Sequence, residues 1–180
     1  MRVIAGKCRS LQLKTPKGLN TRPTQDRIKE TLFNIIQEYI PDAIFLDVFA
    51  GSGGIGIEAL SRGAKRAWFL DKSRDSILCI KDNLSHTHME SVANVVSGDV
   101  FTTLNSVRED HADVIFMDPP YDAGYEEQLF ETLRKCSYVD ENTLIILESE
   151  IKKDFSFDGF ELIRCKEYKT NKHSFFKKII

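Results

Sequence analysis

The sequence predicts an α/β fold, a mostly parallel sheet covered by helices on both faces and finished by an antiparallel hairpin. Short apolar runs at 44–49, 67–70, 92–96, 114–117 and 143–147 alternate with helix-like stretches near 54–62, 74–85, 100–108 and 125–136. Strand, helix, strand with short links is the order of parallel strands buried on both sides. After Glu150 the alternation stops. Residues 160–168 and 174–180 then read as two closing strands around the polar turn Thr170-Asn171-Lys172-His173, which brings the sheet to seven strands.

Ahead of the sheet, residues 2–5 and 10–14 read as two short strands joined at Gly6-Lys7, with Lys and Arg on the exposed positions. A turn-rich loop, Lys17-Gly18-Leu19-Asn20-Thr21-Arg22-Pro23, follows. Thr24 is placed to cap the next helix, with Asp26 in its first turn where the helix dipole favours an anion. Ile28, Leu32, Ile35, Ile36 and Tyr39 keep helical spacing until Pro41. The chain thus divides into a basic hairpin-and-loop extension, 1–23, and a sheet domain, 24–180.

A length of 180 residues fits one such domain with a core that needs neither disulfide nor metal. The four cysteines are scattered without ligand spacing, as expected of reduced thiols in a cytoplasmic protein. No apolar run has the length of a signal peptide or a membrane span. His86 and His88 lie at a helix end without a third ligand and read as surface, so no metal is expected. His173 falls in the terminal turn beside Lys172. The net charge of −2 is unevenly spread, with +6 over residues 1–34, −12 over 35–150 and +4 over 151–180. A basic arm on an acidic body points to a polyanion near the N-terminus, with Lys7, Arg9, Lys14 and Lys17 as candidate phosphate contacts. Arg22, Thr24 and Arg27 are candidates for a lid that also meets the polyanion, or are simply a solvated helix start.

The most informative segment is Asp118-Pro119-Pro120-Tyr121, directly after the apolar run Val114-Ile115-Phe116-Met117. It sits where a strand ends, the usual place for a site in an open α/β sheet. Two prolines remove two backbone donors and leave carbonyls free to accept. With the Asp118 carboxylate and the flat Tyr121 ring, they form a cradle for a planar group bearing an NH2.

After the first strand, Gly51, Gly53 and Gly56 satisfy G-x-G-x-x-G, a pattern that also invites a dinucleotide. Alone, it shows that backbone passes close to a ligand at a helix N-terminus. Asp47, at the strand end, would repel a pyrophosphate but suits the ammonium of a methionine moiety. Asp71 ends the second strand, where an acid can accept from both ribose hydroxyls, and Asp99 follows the third, within reach of an adenine amino group. These acids fit S-adenosylmethionine better than a dinucleotide. The cofactor segment is Asp47, Phe49, Ala50, Gly51, Ser52 and Gly53, with Asp71, Lys72, Asp99 and Val100. Phe45, Phe49, Phe69 and Phe116 read as core or pocket wall.

With these residues assembled, the chain resembles the Rossmann-like class I S-adenosylmethionine-dependent methyltransferases, and within them the RsmD-type 16S rRNA (guanine-N2)-methyltransferases. Arg2 to Lys7 and Thr21-Arg22-Pro23-Thr24-Gln25-Asp26-Arg27 resemble that family's N-terminal hairpin and T-R-P-T-x-D-R signature. Asp47 to Gly56 and Glu58 to Ala64 resemble its cofactor motif and helix, Asp118 to Tyr121 its catalytic tetrapeptide, and Tyr168, Thr170 and Ser174-Phe175-Phe176 its C-terminal signature. Asp71-Lys72-Ser73 stands where the family often has E-K-D, and Lys169 where it often has glycine. The resemblance implies methyl transfer to a guanine 2-amino group in small-subunit rRNA, naked or in a ribosomal particle or assembly intermediate; nothing in the sequence marks an oligomer interface, so a monomer is expected. In that mechanism Asp118 and the Pro119 carbonyl hold the amino group and Tyr121 stacks on a flipped base. A DNA adenine or cytosine amino-methyltransferase shares the tetrapeptide, an NAD oxidoreductase shares the glycines, and a non-enzymatic RNA-binding scaffold shares the fold. The short basic arm favours folded RNA over DNA.

Overall fold

The computed structural model describes residues 1–17 and 23–180, with residues 23 and 24 described by backbone alone. Arg22 and the side chain of Thr24 therefore lie outside the described residues. The first helix, α1 (Pro23–Ile35), starts one residue earlier than the expected Thr24 cap, with Pro23 at the first helical position. Proline suits that position because its fixed φ is helical and the missing N–H has no intrahelical acceptor there. A single 3-10 turn, Gln37–Tyr39, carries the chain on toward the sheet.

Seven strands follow: β1 (Ile44–Val48), β2 (Arg66–Asp71), β3 (Ala93–Ser97), β4 (Val114–Met117), β5 (Leu144–Glu150), β6 (Phe160–Glu167) and β7 (Asn171–Lys178). Four helices alternate with them: α2 (Gly54–Ser61), α3 (Arg74–His86), α4 (Val100–Ser106) and α5 (Glu126–Lys135). The sheet order is β3-β2-β1-β4-β5-β7-β6. β1 to β5 run parallel, and β7 inserts antiparallel between β5 and β6. The order reverses between β1 and β4, so a crevice opens beyond their C-terminal ends. This is the expected mostly parallel sheet with an antiparallel finish.

Strand side chains alternate between two cores. Phe45, Phe69, Phe116, Ile146 and Phe175 join Leu32 and Phe33 of α1, Ile57 of α2 and Ile80 of α3 on one face. Leu46, Trp68, Ile115, Leu147 and Phe176 join Leu104 of α4 and Phe130 of α5 on the other. Period-2 alternation between two apolar layers is why these strands read as nearly unbroken apolar runs.

Two local expectations are corrected. The N-terminal hairpin forms around one antiparallel bridge, Arg2↔Gln12, with backbone hydrogen bonds from Val3 to Leu11, Ser10 to Val3 and Leu13 to Met1, but without two regular strands. The rest of its backbone is drawn to α2: Lys7 N–H donates to the Ser61 carbonyl (2.9 Å), and Ile4 and Ala5 N–H donate to the Glu58 carboxylate (2.9 and 3.1 Å). The segment is thus docked on α2. The polar turn placed at Thr170–His173 is also shifted, since β7 already begins at Asn171 and pairs with β5 through Lys172 and His173. Asn171, Lys172 and His173 are buried. They look like turn residues, but their polar groups have partners: Lys172 Nζ reaches Asp154 at 2.7 Å, and His173 and Asn171 reach Glu148. The turn itself does not place Lys169 at positive φ, so it needs no glycine there.

Candidate active site

A cavity of about 570 Å³ lies over the crevice between β1 and β4. Its wall combines Phe49, Asp71, Lys72, Asp99, Val100 and Asp118 to Tyr121, all expected from the sequence, with Gln25, Leu70, Ser73, Gly98, Tyr125 and Glu148, which were not. The volume falls in the ordinary range for small-molecule sites.

The glycine loop is built for close approach. Gly51 and Gly53 have φ of +60° and +78°, and a Cβ on Gly51 would meet nothing within 4 Å. Gly56 instead answers to packing, since a Cβ there would stand 2.4 Å from Phe69 Cε1. Asp71 is fixed on both oxygens: Gly51 N–H donates to Oδ2 (2.9 Å) and Ser73 N–H to Oδ1 (2.8 Å). Each oxygen keeps a further lone pair, the requirement for a ribose diol. Asp99 caps α4, accepting from Phe101 N–H at 3.0 Å. Phe49 and Tyr125 stack with centroids 6.3 Å apart, and Phe101 meets Tyr125 edge-on. Acids for hydroxyls, apolar Leu70 and Val100, and an aromatic wall fit an adenosine moiety.

Asp47, Ala50, Gly51, Ser52 and Gly53 stand behind this wall and do not line the cavity. Asp47 is 1% exposed and accepts from Gly56 N–H at 2.9 Å. Burial pushes its carboxyl up to about 8, against the Gly56 hydrogen bond that favours the charged form, with nearby Asp71 adding to the rise. Between the ordinary carboxylate range and about pH 8, the folded chain holds a proton here that the unfolded chain has lost. Stability therefore falls as pH rises through that window and levels off above it. Asp47→Asn keeps an oxygen for Gly56 and removes the titration. Its Tm relative to wild type should rise as the pH is raised toward about 9, by about 2–4 °C per kcal/mol relieved. Parallel Tm curves for the two proteins would overturn this assignment.

Asp118 begins the turn after β4. Water reaches it through the cavity mouth, but protein crowds its other sides. That crowding, then the Glu148 and Asp47 carboxylates, raise its pKa well above the usual range. The Pro120 carbonyl accepts from Ala123 N–H at 3.1 Å, whereas no donor among the described residues takes the Pro119 carbonyl. Tyr121 is 36% exposed, and burial followed by Glu148 and Asp118 raises its phenol to about 12, so it stays neutral.

Glu148, within β5, is the residue most clearly missed. Its Oε1 accepts from Asn171 Nδ2 (2.8 Å), and its Oε2 lies 3.0 Å from His173 Nε2. His173, assigned to a terminal turn from the sequence, is 1% exposed and sits beneath the cavity floor beside Tyr168. A signal existed in the acid that follows Leu144–Leu147, but its meaning depends on the β7 register. Gln25 could have been found from its place in the T-R-P-T-x-D-R segment.

The basic candidates do not line this cavity. Lys7, Arg9, Lys14, Lys17 and Arg27 are all exposed. Arg27 and Arg9 share a separate surface hollow with Arg2, Asp26 and Glu30, and Lys14 pairs with Asp82 at 3.1 Å. Among the described residues no group of His, Cys, Asp and Glu could hold a metal ion, and no helix is long and apolar enough to cross a membrane.

The family model described as Conserved hypothetical protein 95 matches residues 1–177. Ribosomal RNA small subunit methyltransferase D of Haemophilus influenzae is 38% identical over 155 residues, which is 85% of this chain and 80% of that protein. The protein of the same name from Escherichia coli K12 is 36% identical over 152 residues, 84% of this chain and 76% of that one. The solved structure of Escherichia coli yhhF superposes with a TM-score of 0.85 at 32% identity, covering 99% of this chain and 98% of that one. A matching family model over nearly all its length and relatives above a third identical place the chain in one family: it belongs to the RsmD-type rRNA methyltransferases.

Proposed function

We propose that the protein transfers a methyl group from S-adenosylmethionine to the exocyclic 2-amino group of a guanine in small-subunit rRNA. The observation that carries this is one cavity lined by Asp71 and Asp99 together with Asp118, Pro119, whose carbonyl no donor among the described residues takes, and Tyr121. The names of the relatives supply the RNA.

The cofactor supplies a methyl group on a positively charged sulfur. Asp71 would hold the ribose hydroxyls and Asp99 the adenine amino group, while Phe49 and Val100 wall the ring. Asp47, which does not line the cavity, would act on the cofactor ammonium only across Gly51 to Gly53, and that positive charge would favour its ionised form. An exocyclic amino nitrogen is a poor nucleophile because its lone pair is delocalised into the ring. Asp118 and the Pro119 carbonyl would accept its two N–H bonds and turn the lone pair toward the methyl group. Tyr121 would stack on the flipped base. The raised pKa of Asp118 suits it to take the proton released afterwards. Rate acceleration then comes from positioning and charge complementarity.

Residues 1–23 serve in this reading as a basic RNA-facing extension of the 24–180 methyltransferase domain, and the enzyme acts as a cytoplasmic monomer. Lys7, Arg9, Lys14, Lys17, Arg22, Thr24 and Arg27 would meet RNA phosphate. Affinity for RNA should fall steeply with salt, with a log–log slope of about −0.7 per phosphate contact on single strands. A flat titration would remove the extension from the RNA interface.

The test is transfer of labelled methyl to RNA from a strain lacking the protein, presented naked and as small-subunit particles, followed by nucleoside analysis. A 2-methylguanosine product supports the reading, and the better of the two substrates identifies the assembly state. A methyladenine product, or label entering DNA, would overturn the substrate and keep the chemistry.

A further inference from the structure

We propose that Glu148 selects guanine by accepting the ring N1–H of the target base, and that His173 and Asn171 hold its carboxylate for that purpose. This rests on the reading of Asp118 and Pro119 as acceptors for the amino group. The β4–β5 register ends at Met117↔Leu147, so Asp118 and Glu148 are the next residues on adjacent parallel strands. Neighbouring strands lie about 4.8 Å apart, and both side chains share the face of Phe116 and Ile146. Both carboxylates line the same cavity.

Glu148 is held from beneath. It faces His173 directly across the β5–β7 ladder, and its side chain is 19% exposed against 1% for His173. The imidazole is wedged edge-on between Phe116 and Tyr168, with centroids 5.7 and 5.0 Å away. Tyr168 Oη lies 3.1 Å from Nδ1, so its hydroxyl donating there leaves Nε2–H to donate to Glu148. A neutral imidazole satisfies both contacts. With Asn171 on Oε1 and His173 on Oε2, each oxygen of Glu148 keeps a lone pair for a third group.

A second carboxylate beside Asp118 disfavours an empty pocket, because like charges at close range repel. It fits a base edge with three donors. Guanine presents N1–H and two amino N–H bonds, and the site offers Glu148, Asp118 and the Pro119 carbonyl. Adenine and cytosine present an amino group beside a ring nitrogen lone pair. That lone pair would face the Glu148 carboxylate and leave two buried acceptors without a donor. Sites built to bond a donor reject analogues that lack it far more strongly than apolar pockets reject a missing methylene.

The probe is RNA carrying 2-aminopurine at the nucleotide the wild-type protein methylates. This base keeps the 2-amino group but has a lone pair at N1, and its fluorescence rises when it leaves the stack. Wild type is expected to unstack it yet methylate it with kcat/KM about 10²-fold or more below guanine. Glu148→Gln places an amide that can donate to that lone pair, so the preference for guanine should shrink by about tenfold or more. Equal wild-type rates on the two bases would overturn the proposal even if the variant failed to fold. An unchanged preference in a folded, cofactor-binding Glu148→Gln would overturn it too, while loss of activity in Asp118→Ala kept the amino-acceptor reading. A wild-type product formed away from the 2-amino group would overturn both.

Discussion

Asp118→Ala is expected to lower kcat by about 10²-fold or more while leaving S-adenosylmethionine affinity within about threefold, the pattern for losing a positioned polar group that acts in the transition state. The separation follows from the layout of the cavity. Asp71 is fixed by backbone N–H groups of the glycine loop and of its own turn, Asp99 by Phe101 N–H, and Asp118 takes no part in holding either. Asp118→Asn keeps one acceptor oxygen and loses the negative charge, so its loss should be smaller. It should also flatten the acid limb of the pH–rate profile. In wild type that limb should lie above the ordinary carboxylate range, because crowding and Glu148 raise the pKa of Asp118. Turnover by Asp118→Ala equal to wild type would remove Asp118 from the chemistry.

Glu58→Ala is expected to destabilise the fold by about 3–5 kcal/mol, the cost of leaving a buried charge without its counter-ion. Glu58 is fully buried in α2, accepts from Ile4 N–H, Ala5 N–H and Arg62 Nε (2.8 Å), and is ion-paired with Lys29 Nζ of α1 at 3.5 Å, whose own hydrogen bond goes to the Arg2 carbonyl. Lys29 is itself 4% exposed, and burial lowers its pKa despite the nearby Glu58 and Asp26. One carboxylate therefore joins the N-terminal segment and α1 to the helix that follows the glycine loop. Lys29→Met should cost less, because Glu58 keeps Arg62 and both backbone donors. Thermal unfolding gives the totals, and hydrogen exchange at residues 4 and 5 reports whether the segment lifts off. A Glu58→Ala variant within about 1 kcal/mol of wild type would show the network contributes little.

Much of this site was legible because it lies on local chemistry. Asp47, the glycine loop, Asp71, Asp99 and Asp118 each follow an apolar run, and a parallel sheet brings successive strand ends to one edge. The tetrapeptide announced its acceptors through proline's missing N–H. What misled was also local. Thr170-Asn171-Lys172-His173 is composed like a turn, and Arg2 to Lys14 is patterned like a hairpin. The first preference gave way to long-range contacts with Glu148 and Asp154; the second kept its pairing but not regular strands, because Glu58 and Ser61 also hold the segment.

By itself, then, the sequence determined the α/β alternation, the glycine loop and the proline turn at Asp118, because hydrophobic period, glycine φ and proline chemistry act within a few residues. The tertiary structure alone decided that Asp47 stands buried behind the glycine loop. It also decided that Glu148 faces the cavity and that His173, 25 residues further along the chain, holds it in place. Those placements depend on which strands pair and in what register. A one-residue slip of β7 would turn His173 to the opposite face, and no local pattern in the chain records that choice.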